Sequence, residues 1–375
     1  MHCVFFVHGL NRDPFSTQGA RGFGTMAGST CASSTRKLGL KRLVILALLI
    51  GLAGLCGCND LSMLGDQSLA LRDQEGHSVR LPRHISRVSG EGGIVYALGQ
   101  QDKLVDRGIY YGPEGDAMAR LDPGFAARPK IMEGKNNINC EALVALRPQV
   151  IFANTEFHKA DKEQMERAGL KVFAIKSETI EESFEAVRLI GQVLGCQDKA
   201  RGYLNDCRHL LKLVEDRTKD IPDDKRLKVM FAGPKGIYTV ATGAMIQTDV
   251  ISRAGAENVA AGLKGFWCDV SPEQVAVWNP DVIFLGSSKG AYGVDEVYRC
   301  AQFKTVSAVK QKRVYAFPSN IGWWDFPPPH CVLGVLWAAK AMYPDRFPDI
   351  DMLKTADAFY AKYRGHTFTA LGGKL

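Results

Sequence analysis

Two stretches of the chain share one pattern, EALVALRPQVIF at residues 141–152 and EQVAVWNPDVIF at residues 273–284. Five of the twelve positions are identical, and four others are apolar in both copies. Each copy has an acidic first turn, a short helix, a proline that ends the helix, and an apolar strand. The copies lie 132 residues apart, which is too long a period for a solenoid. The repeat therefore predicts two related α/β lobes.

From about residue 85 onward, short apolar runs alternate with segments of helical periodicity. Runs of four to six residues, rich in Val, Ile and Phe, predict strands at Ile85–Ser89, Gln149–Ala153, Leu170–Ile175, Leu227–Ala232, Asp281–Gly286 and Arg313–Phe317. Helices are predicted at Cys140–Leu146, Ala160–Ala168, Thr179–Leu194, Met245–Ala254, Pro272–Trp278 and Pro328–Met342. This alternation predicts an α/β fold, with two Rossmann-like lobes built on mostly parallel sheets.

One long amphipathic segment separates the two copies of the repeat. Residues 197–220 contain no proline and a single glycine, and their apolar residues recur at steps of three and four. A helix of this length runs about 30 Å. We expect an N-terminal lobe at 69–195, a connecting helix at 196–220 and a C-terminal lobe at 221–375. An unbroken helix resists hinging, so the ligand cleft between the lobes should have walls that move little.

The N-terminal region has the composition of an export signal. Two basic pairs, Arg36-Lys37 and Lys41-Arg42, precede an apolar run at 43–55. Thirteen residues of helix rise roughly 20 Å, short of the ~30 Å core of a bilayer. Leu55-Cys56-Gly57-Cys58 resembles a bacterial lipobox, which implies lipidation at Cys58. We expect a lipoprotein signal at 36–57, a tether at 58–68, and an extension at 1–35 to which no role is assigned.

The charge and cysteine content narrow the function classes. The formal net charge is +7, but residues 1–57 hold six basic groups and one acidic group. The remaining 41 basic and 39 acidic residues leave a body at only +2, so no nucleic-acid partner is predicted. Of ten cysteines, seven lie at or beyond Cys58, and none of these forms a C-x-x-C pair.

Several motifs, taken in order, resemble one known family. The motifs are Gly76–Pro82 followed by Ile85–Val88, Cys140–Pro148, Thr242-Gly243 with Asp249–Ala260, Val270–Glu273, and Leu336–Lys340 with Tyr343-Pro344. Together they cover about residues 69–365 and resemble the helical-backbone (class III) substrate-binding proteins of ABC importers. That family receives ferric siderophores, haem, cobalamin and some metal oxyanions. The resemblance implies a periplasmic monomer without a cofactor, which serves a permease dimer and its ATPase. Lipid anchoring at Cys58, expected from the lipobox, agrees with this independently.

The resemblance also gives the repeat a role. In this family, one acidic residue on each lobe contacts arginines of the permease, and Glu141 and Glu273 occupy those motif positions. They are also the paired first residues of the repeat. Exposed charges at such positions steer association more than they add affinity. The simpler alternative is that each Glu only favours the start of its helix.

Ligands of α/β lobes meet the loops at the carboxyl ends of strands. In the first lobe, these loops offer Tyr110, Tyr111, Lys135, Asn136 and His158. In the second lobe, they offer Trp267, Trp323, Trp324 and Asp325. Indole faces can stack on a porphyrin, a corrin or a catecholate ring, and Tyr or His can ligate haem. Lys135 and its asparagines suit an anion.

The sequence is compatible with several classes of ligand. A ferric siderophore or a related metal chelate is the first expectation, with cobalamin, haem or a molybdate-like oxyanion as alternatives. A bare metal at Cys268, Asp269, His330 and Cys331 is a weaker one, because their spacing is not diagnostic. An exported metal-dependent enzyme is the alternative of another class. The chain shows neither H-E-x-x-H nor G-x-S-x-G, so we predict a binding protein and not an enzyme.

Overall fold

A computed structural model describes residues 68–131, 138–287, 292–318, 320–327 and 330–375, and of 156–159 only the backbone. The predicted signal segment and Cys58 lie outside the described residues, as do Lys135 and Asn136. The side chain of His158 is likewise outside them. Residues Asp66–Leu375 form one compact unit, and all that follows concerns this unit.

The first lobe contains a three-stranded parallel sheet with a hairpin beside it. Its elements are β1 (Ser68–Arg72), β2 (Ser78–Pro82), β3 (Val88–Gly90), α1 (Gly92–Ala97), α2 (Glu114–Leu121), α3 (Pro123–Ala126), α4 (Cys140–Leu146), β4 (Val150–Asn154), α5 (Thr155–Arg167), β5 (Val172–Ile175) and α6 (Ile180–Val193). Strands β3, β4 and β5 pair in parallel in that order. Every residue of β4 and β5 is buried, which explains their unbroken apolar sequences.

The first strand of this sheet is shorter than its sequence predicts. The prediction was Ile85–Ser89, but the strand begins at Val88. The Oε1 atom of Gln149 accepts hydrogen bonds from the amides of Ser86 (2.7 Å) and Arg87 (3.0 Å). The side chain of Gln149 thus binds these two amides, while its own backbone amide donates to the carbonyl of Arg87 (2.8 Å), where backbone pairing with the neighbouring strand begins.

A single long helix connects the lobes. Helix α7 (Gln197–Thr218) buries an apolar stripe that includes Ala200, Tyr203 and Val214, while its other faces carry charged residues. It ends two residues earlier than predicted, just before Ile221-Pro222. The fold class is therefore confirmed in its main feature, which is two α/β lobes joined by one unbroken helix.

The second lobe contains a six-stranded sheet of mixed direction. Its elements are β6 (Lys228–Gly233), β7 (Gly236–Ala241), α8 (Ile246–Arg253), β8 (Glu257–Asn258), β9 (Trp267–Asp269), α9 (Pro272–Trp278), β10 (Val282–Leu285), α10 (Val294–Arg299), α11 (Ser307–Lys310), β11 (Val314–Ala316), α12 (Cys331–Met342) and α13 (Met352–Arg364). The order is β11-β10-β6-β7-β9, with β8 also on β6. Strand β7 pairs antiparallel with β6 and β9, and the other pairs are parallel.

The sequence repeat is also a structural repeat. Helices α4 and α9 have the predicted bounds, and each begins with a side-chain cap, from Asn139 and from Ser271. Each ends at a residue in the left-handed conformation, Arg147 (φ 48°) and Asn279 (φ 42°). A buried strand follows in both copies, β4 and β10. The helix–proline–strand pattern therefore predicts the same local structure twice.

The C-terminal part of the chain packs against both lobes. Helix α12 is buried along most of its length and contacts α7 and α8. Helix α13 contacts α1 of the first lobe, and its Phe359 and Tyr363 lie against Tyr203 of α7. Within the described part of the chain, no helix combines the length and the hydropathy that crossing a bilayer requires.

Candidate functional site

The carboxyl ends of the three parallel strands of the first lobe bring polar side chains together. Glu91 directly follows β3, Asn154 is the last residue of β4, and Ser177 follows β5 by two residues. All three are buried, with at most 3% of each exposed. Such strand ends are where α/β sheets hold their ligands.

Tyr111 links these side chains into one hydrogen-bonded group. Its hydroxyl donates to Oε1 of Glu91 (3.2 Å) and accepts from Nδ2 of Asn154 (3.4 Å). The same Nδ2 donates to the hydroxyl of Ser177 (2.5 Å). We call Glu91, Tyr111, Asn154 and Ser177 the polar cluster. It offers hydroxyl and amide groups rather than a cationic side chain.

Burial changes the charge of Glu91. It raises the pKa of this carboxyl to about 8, and the hydrogen bond from Tyr111 offsets only part of the rise. At neutral pH, Glu91 is therefore mostly a protonated acid. A neutral carboxylic acid donates a hydrogen bond, whereas a carboxylate only accepts.

Aromatic residues from both lobes meet above the polar cluster. The backbone amide of Trp323 donates to the carbonyl of Tyr111 (3.3 Å), which joins the lobes directly. The ring of Phe326 lies 5.8 Å from that of Tyr111 and 4.9 Å from that of Trp323. Gly112 permits this approach, because a Cβ there would come within 2.6 Å of the Trp323 indole. We call Tyr111, Trp323 and Phe326 the aromatic junction.

The next two residues, Trp324 and Asp325, are buried in the protein, whereas Trp323 is partly exposed. Trp324 is fully buried, and its Nε1 donates to the hydroxyl of Tyr360 (3.3 Å). Asp325 is also fully buried; its Oδ2 accepts from the amide of Ser287 (3.1 Å). Burial raises the pKa of Asp325 to about 6. Of the adjacent indoles, only Trp323 keeps exposed surface, so a stacking role for Trp324 has no support in this arrangement.

Two other predicted residues lie at the edges of the site. Trp267 is half-buried at the start of β9, with its indole directly over the backbone of Gly233 at the carboxyl end of β6. Tyr110 packs edge-on against Phe125 (5.7 Å), and burial raises the pKa of its hydroxyl. Trp267 therefore borders the second-lobe strand ends, whereas Tyr110 points into the core of the first lobe. Ligand contacts by either residue remain predictions.

A cavity of about 430 Å³ opens where helix α6 of the first lobe meets the segment before α8. Its lining includes Glu178, Glu182 and Asp249. Three acidic side chains make it an unfavourable place for an anion.

The residues considered for a bare metal are not brought together. Cys268, Asp269, His330 and Cys331 form no group of metal-ligating atoms among the residues described. One such group does occur, Asp73, Glu75 and His77 in the turn between β1 and β2. There, Oδ1 of Asp73 accepts hydrogen bonds from the amides of Glu75 and His77, so the carboxylate has a structural role in the hairpin.

Glu141 and Glu273 occupy equivalent places in the two lobes. Each lies in the first turn of its helix, α4 or α9, and each is exposed. Each shares its exposed face with an apolar residue, Val144 (42% exposed) or Val277 (78% exposed). Each copy of the repeat thus exposes one carboxylate beside one apolar side chain.

The sequence prediction missed three members of the polar cluster and one of the aromatic junction. Glu91, Asn154 and Ser177 each follow a predicted strand within two residues, and this position was the available signal. Phe326 lies in the same unusual run as Trp323. The sequence did not show that Tyr111 would contact Glu91 and Asn154 at two of these strand ends, because that depends on the path of a long loop.

Comparison with known proteins agrees with this architecture. The family model described as "Periplasmic binding protein" matches residues 89–321, more than half of the chain. The molybdate-binding protein MolA of Haemophilus influenzae is 28% identical over 364 residues, which cover 86% of this chain and 96% of MolA. The vitamin B12-binding protein of Salmonella typhimurium is 26% identical over 213 residues, 55% of this chain and 73% of that protein.

Solved structures show the same fold. The structure of Haemophilus influenzae MolA bound to molybdate superposes with a TM-score of 0.68 and 25% identity, over 80% of this chain and 98% of that one. Helicobacter pylori CeuE superposes with a TM-score of 0.66 and 18% identity, over 82% and 98%. These relatives are solute-binding proteins, and the resemblance to the class III binding proteins of ABC importers is confirmed. The chain belongs to the periplasmic binding protein family.

Proposed function

We propose that this protein captures a small metal oxyanion of the molybdate class outside the cytoplasm and delivers it to an ABC importer. The observation that carries the proposal is the polar cluster. Its hydroxyls, its amide and its protonated carboxyl gather at three strand ends beneath the aromatic junction. Neutral donors held in place by a fold bind an oxyanion through hydrogen bonds alone.

The size of the site favours a small ligand. The lobes approach within hydrogen-bonding distance at Trp323 and Tyr111, and Tyr111 is itself a member of the polar cluster. A broad corrin or porphyrin requires these groups to separate, and the long helix α7 resists such a movement. A relative that aligns over most of its length with this chain binds molybdate, which supports the same ligand class here.

A metal chelate is the second candidate, because of the aromatic junction. Trp323 keeps exposed surface, and its ring can stack on a catecholate or a corrin. This was the first expectation from the sequence, and it requires an opened cleft. Cationic groups for an anionic chelate would come from Lys135, whose part in binding remains a prediction.

Delivery needs a second surface, and Glu141 and Glu273 supply it in this proposal. Both are exposed on equivalent helices, which suits a receptor of two similar subunits. Lipidation of Cys58 would hold the protein at the membrane as a monomer. Replacement Cys58→Ala should then release it into the soluble extracytoplasmic fraction, and unchanged membrane retention would contradict the anchor.

A ligand panel tests the proposed function. The purified protein is mixed with molybdate, tungstate, sulfate, a ferric catecholate and cyanocobalamin, and bound mass is read by native mass spectrometry. We expect one molybdate or tungstate per chain. Binding of the ferric chelate alone would support the second candidate, and binding of none would remove both.

A further inference from the structure

Three buried side chains, Glu114, His330 and Arg364, form a hydrogen-bonded group next to the loops of the aromatic junction. The carboxylate of Glu114 accepts hydrogen bonds at Oε1 from Nε of Arg364 (2.5 Å) and meets Nε2 of His330 at 3.1 Å. No more than 2% of any of the three side chains is exposed. Burial raises the pKa of Glu114, but Arg364 and His330 outweigh it and lower that pKa to about 2. Glu114 is therefore ionised in the interior.

Each of these groups lies at the end of a helix, and two of the helices directly follow a loop of the aromatic junction. Glu114 is the first residue of α2, three residues after Tyr111. His330 directly precedes α12 and follows Phe326 by four residues. Arg364 is the last residue of α13. One carboxylate from the first lobe thus holds the ends of both loops that form the aromatic junction.

Helix α13 supports the second of these loops more widely. The rings of Tyr360 and His330 lie 5.3 Å apart, and the hydroxyl of Tyr360 accepts from Nε1 of Trp324. Gly322 lies against the same two side chains, since a Cβ there would come within 2.6 Å of His330 and 2.8 Å of Tyr360. The loop that presents Trp323 therefore rests on His330 and α13.

The group is better suited to fixing geometry than to adding stability. Oε2 of Glu114, Nη2 of Arg364 and Nδ1 of His330 are buried without a hydrogen-bond partner among the residues described. A buried ion pair regains its desolvation cost only when its remaining polar atoms are also satisfied. An apolar contact would join these elements at a lower cost, although it would fix their relative position less strictly.

We infer that Glu114 is a positioning residue of the binding cleft, which sets the contact between the Tyr111 loop and the Trp323 loop through His330 and Arg364. Glu114 itself does not touch the ligand. The inference rests on the proposed function, because it assigns the setting of that same site. We therefore expect the affinity for the ligand to depend on the carboxylate of Glu114, although this group does not contact the ligand.

The test compares Glu114→Gln with Val297→Ala. Val297 is fully buried in a separate apolar cluster of the second lobe, so its truncation lowers stability away from the site. Two quantities are measured for each variant: molybdate affinity by calorimetry, and hydrogen exchange at the Trp323 amide, which bonds to Tyr111. We expect Glu114→Gln to weaken molybdate binding at least tenfold and to speed this exchange at least tenfold.

The control decides between positioning and stability. Val297→Ala should leave the molybdate affinity and the Trp323 exchange rate near the wild-type values, even if its melting temperature falls as far as that of Glu114→Gln. Equal effects in the two variants, or wild-type exchange at Trp323 in Glu114→Gln, would overturn the inference. Should Glu114→Gln not fold, Arg364→Lys is measured instead, since it keeps the buried charge but loses the Nε donor. If the wild type binds no molybdate, the ligand proposal fails and the exchange result alone decides the inference.

Discussion

At the scale of single residues, buried acids govern how the site responds to pH. Burial raises the pKa of Glu91 to about 8 and those of Asp106 and Asp325 to about 6. Each carboxyl is thus favoured in its protonated form by the fold. A group whose pKa is raised on folding stabilises the protein below its unfolded pKa, and that contribution is lost as the pH rises through the folded value.

Glu91→Gln should flatten the pH dependence of stability. Between pH 4.5 and 8 the wild type should lose on the order of 4 kcal/mol through Glu91, since one pKa unit corresponds to about 1.4 kcal/mol. The variant keeps a neutral side chain of the same shape, so it should be more stable than the wild type at pH 8. Urea unfolding at pH 5 to 9 measures this, with the exposed Glu141→Gln as control. A variant that loses stability as steeply as the wild type would show that Glu91 is ionised in the fold.

Residue identity alone predicted only part of the site. Trp323 and Tyr111 are both predicted from loops at the carboxyl ends of strands, and the structure brings them together. Trp324 has the same chemistry as Trp323 and a different environment, because it is buried with its Nε1 bound to the hydroxyl of Tyr360. The burial of one indole and the exposure of the other depend on Tyr360 of α13, more than thirty residues away.

At the scale of elements, two helices of opposite lobes cap each other. Oδ2 of Asp249, in α8, accepts from the amide of Ile180 at the start of α6 (2.8 Å). Oε2 of Glu178, just before α6, accepts from the amide of Ile246 at the start of α8 (3.2 Å). Each lobe therefore satisfies a helix end of the other, which adds to the rigidity that α7 gives the cleft.

Asp249→Ala should cost about 1 kcal/mol of unfolding free energy, the usual effect of losing a helix cap. It should also speed hydrogen exchange at the Ile180 amide in the other lobe. Asp351→Ala is the matched control, because Asp351 caps α13 within its own element, with Oδ1 accepting from the amide of Lys354 (3.0 Å). Unchanged protection of Ile180 in Asp249→Ala would contradict a cap between the lobes.

The paired glutamates give a prediction for transport. Reversal of both, Glu141→Lys with Glu273→Lys, should abolish uptake in cells while ligand affinity stays within twofold of the wild type. The reason is that both carboxylates are exposed in the first turns of their helices, and neither belongs to the polar cluster. Uptake assays and calorimetry check the two halves separately. A similar loss of affinity would place the glutamates in ligand binding instead.

Elements with local signals were the ones predicted well. The proline and the acidic first turn define α4 and α9, and both have the predicted bounds. Helix α5 begins at Thr155 rather than Ala160, and α1, α2 and α13 had no prediction. Strands β7 and β9 were also missed, and with them the antiparallel part of the second sheet. Their formation depends on partners that are distant in the chain.

At the scale of the whole molecule, four kinds of contact among the described residues join the lobes, in addition to the packing of α13 on α1. Helix α7 connects them, helices α6 and α8 cap each other, the Glu114 group crosses between them, and the aromatic junction closes over the polar cluster. A binding protein tied in this way should change little on ligand uptake. The ligand is then selected by the fit of a preformed site rather than by closure.

Titration of the wild type and of Tyr111→Phe with molybdate tests the central claim most directly. Tyr111 is the residue that joins the polar cluster to the aromatic junction, and the replacement removes only its hydroxyl. We predict one molybdate bound per wild-type chain, with affinity at least tenfold weaker in Tyr111→Phe while the melting temperature stays close to that of the wild type. Equal molybdate affinity in the two proteins, or binding of a ferric chelate with none of molybdate, would contradict the account.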